Sequence, residues 1–160
     1  MGARLFLTLE FKLSRMKNSQ KITKIHLEVN DEDIPAVIGI VSADPDYRLS
    51  LKMNRKLLIS LRNIDPVEFH DEKGDKLVFS RFSDSLQPAD SNFQLVSTRS
   101  GKYFLIKKLR NIDYLLLLQN SARETGIDKI MSQLREIDSV TGVFNIEKKI
   151  LKDKNLRFII

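Results

Sequence analysis

The chain has 160 residues, enough for one domain with a real core, and its 42% hydrophobic and 30% charged content is that of an ordinary globular protein rather than a disordered one. It contains no cysteine, which excludes disulfides, thiolate nucleophiles, iron–sulfur clusters and cysteine-based zinc sites; only His26 and His70 are present, too few for a multi-histidine metal centre. The 27 Lys and Arg against 21 Asp and Glu leave a net charge of +6, compatible with attraction to nucleic acid and equally with a plain basic surface.

No apolar run approaches the ~20 residues a bilayer span needs, so no membrane association is expected and the expected location is the cytoplasm. Residues 1–15, MGARLFLTLEFKLSR, differ from the rest. Leu5 to Leu9 is apolar, but Glu10 and Lys12 interrupt it and no small-residue cleavage site follows, which rules against a signal peptide. Met16 precedes the polar Lys17-Asn18-Ser19-Gln20. Residues 1–15 are therefore expected to be an N-terminal extension upstream of a true start at Met16, with 16–160 a single α+β domain.

Ile25, Leu27 and Val29 alternate with His26 and Glu28, the pattern of a half-buried strand with His26 on the polar side. Asn30 to Asp33 reads as a solvated acidic turn, since the glycine and distal Glu of an EF-hand loop are missing. Ile34 to Ala43 is a continuous apolar run in which Gly39 suits a close backbone approach. Asp44-Pro45-Asp46 then has the form of a helix start, with Asp44 at the N-cap and Pro45 at the first helical position. Leu49, Met53, Leu57 and Leu61 recur every four residues as a buried stripe, while Lys52, Arg55 and Lys56 face away.

A strand meander follows. Val67-Glu68-Phe69 and Leu77-Val78-Phe79 flank the polar turn His70 to Asp75, and Phe79 to Phe82 continues the alternation. Ser83 to Asn92 is the most loop-like stretch. Phe93 to Ser97 is a strand, Arg99 to Lys102 a tight turn, and Tyr103 to Ile106 the expected partner strand. Ile112 to Ile146 forms a strand–helix–strand unit of βαβ size. In it, Tyr114 to Leu118 is apolar throughout and needs cover on both faces, hence a central place in the sheet. Ile127, Ile130, Met131, Leu134 and Ile137 lie on one helical face, and Val140 to Ile146 returns to strand. The tail closes on Leu156, Phe158, Ile159 and Ile160 as a short strand or an apolar end.

Leu105 to Leu118, LIKKLRNIDYLLLL, resembles the IPExxxVDY family of small bacterial proteins. Ile106, Asp113 and Tyr114 match the motif and Ile112 stands for its Val, whereas Lys107 and Lys108 replace the Pro and Glu. Ile38-Gly39-Ile40 running into Asp46 to Leu49, the Phe79/Phe82 strand before a long loop, and Leu134 to Val140 after the second helix are similar as well. The resemblance spans roughly 25 to 158. It implies the chain layout and a start near Met16, and supplies no activity and no catalytic residues.

Two constellations are candidates for binding. Asp46, Tyr47 and Arg48 stand beside a βα turn, where Asp46 can orient Arg48 and Arg48 can hold a carboxylate or phosphate by a two-pronged contact. The alternative is helix capping with a packed Tyr and a surface Arg. Asp113 and Tyr114 open the central strand, with Asp113 accepting from a backbone amide or pairing with Arg48. For nucleic acid the candidates are Lys52, Arg55 and Lys56 on the helix and the Lys107, Lys108 and Arg110 knot. These patches lack interleaved exposed aromatics, which favours solvated faces. The six glycines are scattered, without a phosphate loop or nucleophile elbow. No catalytic residue, metal or cofactor is therefore assigned.

The expected fold is α+β: a mostly antiparallel sheet of about seven or eight strands with two helices, near 45–60 and 125–137, packed on one face. The expected function is a non-enzymatic interaction or small-ligand-binding, regulatory module. The expected partner is a second copy, through a sheet edge or an open sheet face, with weak RNA binding as the alternative and an uncharacterised enzyme third. The unit 112–146 is similar in shape to the βαβ halves of ligand-sensing domains that dimerise by edge pairing, an analogy of fold alone.

Overall fold

The computed structural model describes residues 7–15, 19–27, 34–119, 121–152, 156 and 159. The chain divides into two units, Met1–Ile34 and Pro35–Ile160. In the first, β1 (Leu7–Arg15) and β2 (Ser19–Leu27) form an antiparallel pair in register from Leu7 opposite Leu27 to Arg15 opposite Ser19. Residues 7–15 of the expected extension form a strand whose partner is the 19–27 segment. Met16, the His26 side chain, the acidic turn 30–33 and residues 153–155, 157, 158 and 160 lie outside the described residues.

The second unit is α+β, as the sequence predicts. Its elements are β3 (Ala36–Ser42), α1 (Asp46–Leu57), β4 (Arg62–His70), β5 (Lys76–Ser83), β6 (Phe93–Ser97), β7 (Arg99–Ser100), β8 (Tyr103–Phe104), β9 (Tyr114–Leu118), the short α2 (Ser121–Glu124), α3 (Ile127–Arg135) and β10 (Val140–Asn145). Six strands make one antiparallel sheet in the order β10-β3-β9-β6-β5-β4, and β7 and β8 pair separately. β9 and β10 are both antiparallel to β3, which lies between them, so the 112–146 unit is a split βαβ. The expected β6 partner, Tyr103 to Ile106, is corrected: β6 pairs with β9 and β5. Thr98 draws the chain out of β6 by bonding β9's lead-in, its Oγ1 donating to the carbonyls of Ile112 at 2.5 Å and Asp113 at 3.0 Å.

Both main helices pack on one sheet face. Leu49 and Met53 of α1 and Ile130, Met131 and Leu134 of α3 close over Ile38, Ile40, Tyr114, Leu116, Leu118, Leu95, Phe82 and Val143. β4 contributes nothing to that core. The opposite face is also dry: Val37, Leu115, Leu117 and Val96, which point there by strand alternation, are all at most 1% exposed. Its cover is the chain's own. A Cβ on Gly39 would lie 2.9 Å from Ile146 Cδ1 and 3.2 Å from Ile112 Cδ1, and Leu105, Ile106, Leu109, Leu151, Leu156 and Ile159 are buried outside the helix-side core. The close approach expected at Gly39 is present, and the central strand is enclosed on both sides. The described part of the tail holds a 3-10 turn at Ile150–Lys152 and no strand.

Candidate functional site

Helix α1 begins one residue later than the sequence suggests. Pro45 is its N-cap, in extended conformation, and its carbonyl accepts from Arg48 N and Leu49 N. Asp44, expected to cap, instead turns its carboxylate to Lys52 Nζ at 2.8 Å and Arg48 at 3.8 Å. Lys52 reaches Asp138 as well, at 2.9 Å, and so ties the α1 start to the α3–β10 turn. The Lys52 contact holds the Asp44 carboxyl below the usual carboxylate range, and the two acids hold Lys52 above its ordinary value.

The expected pairing of Asp113 with Arg48 is corrected, because Arg48 is held by Asp44. Asp113 takes its other predicted role: its Oδ2 accepts from Ser42 N at 3.0 Å, while Oδ1 lies 3.5 Å from Arg99 Nη2. Tyr114 is buried against the helices and donates its hydroxyl to the Asp44 carbonyl at 2.7 Å. Burial, and then the carboxylates of Asp46, Asp113 and Asp44, push its phenol up to about 12. Asp46, Asp113 and Tyr114 therefore share one neighbourhood at the mouth of the β3–α1 turn. Tyr47 and Arg48 face solvent, each more than half exposed.

A groove opens beside this neighbourhood, where the helix cover stops. It has a volume of about 430 Å³ and is lined by Asp46, Asn63, Ile64, Pro66, Val78, Ser80, Arg81, Ser97, Arg99, Ser100 and Gly101. Val78 and Ser80 share a sheet face with the core residue Phe82, and Ser97 shares it with Leu95. The groove floor is thus the continuation of the helix-side core surface, with serines in place of leucines. Ser80 Oγ is buried without a hydrogen-bond partner. Arg99 lies over the Phe104 ring at 5.4 Å and uses only Nη2, toward Asp113 and the Arg110 carbonyl, among the described residues. Arg81 sits at the β4 bulge, where its Nε donates to the Asp65 carbonyl at 2.9 Å. Desolvation lowers its pKa, with Asp65 acting against the shift.

Of the predicted binding residues, only Asp46 lines this groove. Asn63, Ser80, Arg81, Ser97 and Arg99 lay unnoticed because each reads singly as an ordinary polar residue of a strand or turn. The one sequence signal was Arg81, a charge inside the otherwise apolar Phe79 to Phe82 alternation. The basic candidates separate. Lys52 and Lys56 are engaged by Asp44, Asp138 and Glu136 on the helix side, and Arg55 is exposed. Lys107, Lys108 and Arg110 are exposed around the buried Leu109. A scan against protein-family models, a search of curated proteins and a search of solved structures each returned no match. Among the described residues, no helix is long and apolar enough to cross a membrane.

Proposed function

We propose that the protein is a non-enzymatic binding module of the cytoplasm, holding a small ligand in the groove at the margin of the helix cover and pairing with a second copy through a sheet edge. The groove carries the reading. It presents the Asn63 side chain from β4 of the six-stranded sheet and the unused edge of Arg99 from the β7–β8 pair. Those are groups that orient a ligand, and no nucleophile–base pair lines the groove. The IPExxxVDY membership is proposed on similar grounds. Ile106 is buried, and Asp113 and Tyr114 bind the β3–α1 turn, while the departing Lys107 and Lys108 are exposed. RNA binding has weaker support, since two of its helix cations are already in ion pairs.

For the pairing, the two sheet edges differ. β4 carries Pro66 and four ionisable residues, devices that discourage edge pairing. β10 reads VTGVFN, without a charge to meet its own copy across a two-fold axis, and its Phe144 is 51% exposed. The test has two arms. A thermal-shift screen of small metabolites should return ligands that stabilise the wild type but not Ser97→Phe, which fills the groove. Sedimentation velocity should give a dimer that Phe144→Lys converts to monomer. Ligands that stabilise both proteins alike remove the groove, and a wild-type monomer at high concentration removes the pairing.

A further inference from the structure

The groove lining is not of one sign. Asp46 stands on it from the first turn of α1 and Arg99 from the β7 side, with Ile64, Pro66 and Val78 as its apolar lining, while Arg81 at its border is the sheet partner of Val96 and turns its Nε to the Asp65 carbonyl. Both of the groups that matter have capacity left. Asp46 Oδ1 accepts from Tyr47 N at 2.6 Å, and its second oxygen has no partner among the described residues. Arg99 commits one terminal nitrogen, at long distances of 3.5 Å to Asp113 and 3.4 Å to the Arg110 carbonyl, which leaves Nε and Nη1. A guanidinium edge suits a carboxylate, and a carboxylate oxygen suits an ammonium. A simple anion would gain from Arg99 and lose at Asp46; a simple amine would do the reverse. A ligand carrying both charges satisfies both walls.

Resting on the groove reading above, we infer that the groove binds a free α-amino acid with a short aliphatic side chain. Its carboxylate lies on the Arg99 edge, its ammonium on Asp46, and its side chain against Ile64, Pro66 and Val78. The volume of about 430 Å³ accommodates such a molecule with water beside it.

Isothermal titration at low salt provides the test, with L-valine, 3-methylbutanoate (the same frame without the amine) and isobutylamine (without the carboxylate) as probes. L-valine should bind, and each one-charge analogue should bind at least about tenfold more weakly, as expected for losing one charge-assisted contact. Arg99→Gln and Asp46→Asn should each weaken L-valine by a similar factor. Asp46→Asn keeps an acceptor for Tyr47 N, so the helix start survives, and circular dichroism of each variant checks its fold. Equal binding of 3-methylbutanoate and L-valine, or unchanged L-valine binding in Asp46→Asn, overturns the proposal. If L-valine fails on the wild type while metabolite hits remain sensitive to Ser97→Phe, the ligand class is wrong and the module reading stands. If those hits are absent too, both fall.

Discussion

Over β10, β3, β9, β6 and the inner end of β5, the helix side of the sheet is lined by Ile38, Ile40, Leu116, Leu118, Leu95 and Phe82, and α1 and α3 seal it. Further along β5 and β6, the same face of the same sheet carries Val78, Ser80 and Ser97, outside the helix-side core and on a groove instead. The strands are continuous across the boundary, so backbone geometry does not account for the change. What differs is how far two helices can reach. α1 and α3 cover β5 and β6 where they carry Phe82 and Leu95, while Val78, Ser80 and Ser97 on the same strands, and the whole of β4, contribute no side chain to their core. Past that limit an apolar surface would stand in water, and polar residues take its place. The uncovered end is therefore where a fixed wall, unspent polar groups and access coincide.

The contrast predicts unequal responses to substitution. The largest effect belongs to the sealed half. Leu116 is fully buried, and Leu116→Ala should cost about 3 kcal/mol in urea denaturation through lost burial and the cavity left behind. A cost under about 1 kcal/mol would mean that the helix-side core is loosely packed there.

Tyr114 stands on the border, with its ring among the core residues and its hydroxyl on the Asp44 carbonyl. Tyr114→Phe should cost about 1 kcal/mol for that hydrogen bond. The variant should also change the pH profile. The folded-state pKa of the phenol, about 12, lies above the ordinary 10.0. The folded protein thus keeps a proton that the unfolded chain has lost. This contribution to stability is complete below pH 10 and lost as the pH rises toward 12. Unfolding free energies measured across that window should fall less steeply for Tyr114→Phe than for the wild type, and parallel slopes would remove Tyr114 as the responsible group.

The smallest effect belongs to the groove. Ser80→Ala deletes a buried hydroxyl that bonds nothing in the unliganded protein, and its unfolding free energy should stay within about 0.5 kcal/mol of wild type. A large loss would show that Ser80 supports the fold. Stability unchanged alongside weakened ligand binding would sharpen the division between the two halves.

Much of the fold is legible in order along the chain. The apolar run at Tyr114 to Leu118 calls for cover on both faces, and β9 has it. The spacing of Leu49 and Met53, and of Ile130, Met131 and Leu134, identifies the helix stripes. Gly39 marks the place where Ile112 and Ile146 press on the sheet. The candidate site is less legible. Arg48 and Asp113 are a plausible pair from sequence, yet Asp44, four residues before Arg48, takes the arginine first. Ser97 and Ser80 come from strands whose neighbours in space are not neighbours in the chain.

By itself, the sequence determined which residues must leave water and with what periodicity, because burial and backbone period are local properties of side-chain type and spacing. From that followed most strands of the second unit, the two principal helices and the double-sided burial of β9. The tertiary structure alone decided strand order, the insertion of β3 between β9 and β10, the seating of Ile112 and Ile146 on the second face at Gly39, and the meeting of Asp46, Ser80 and Arg99 around one groove. Those are contacts between distant residues, fixed by which surfaces find mutual cover, and no local pattern encodes that choice.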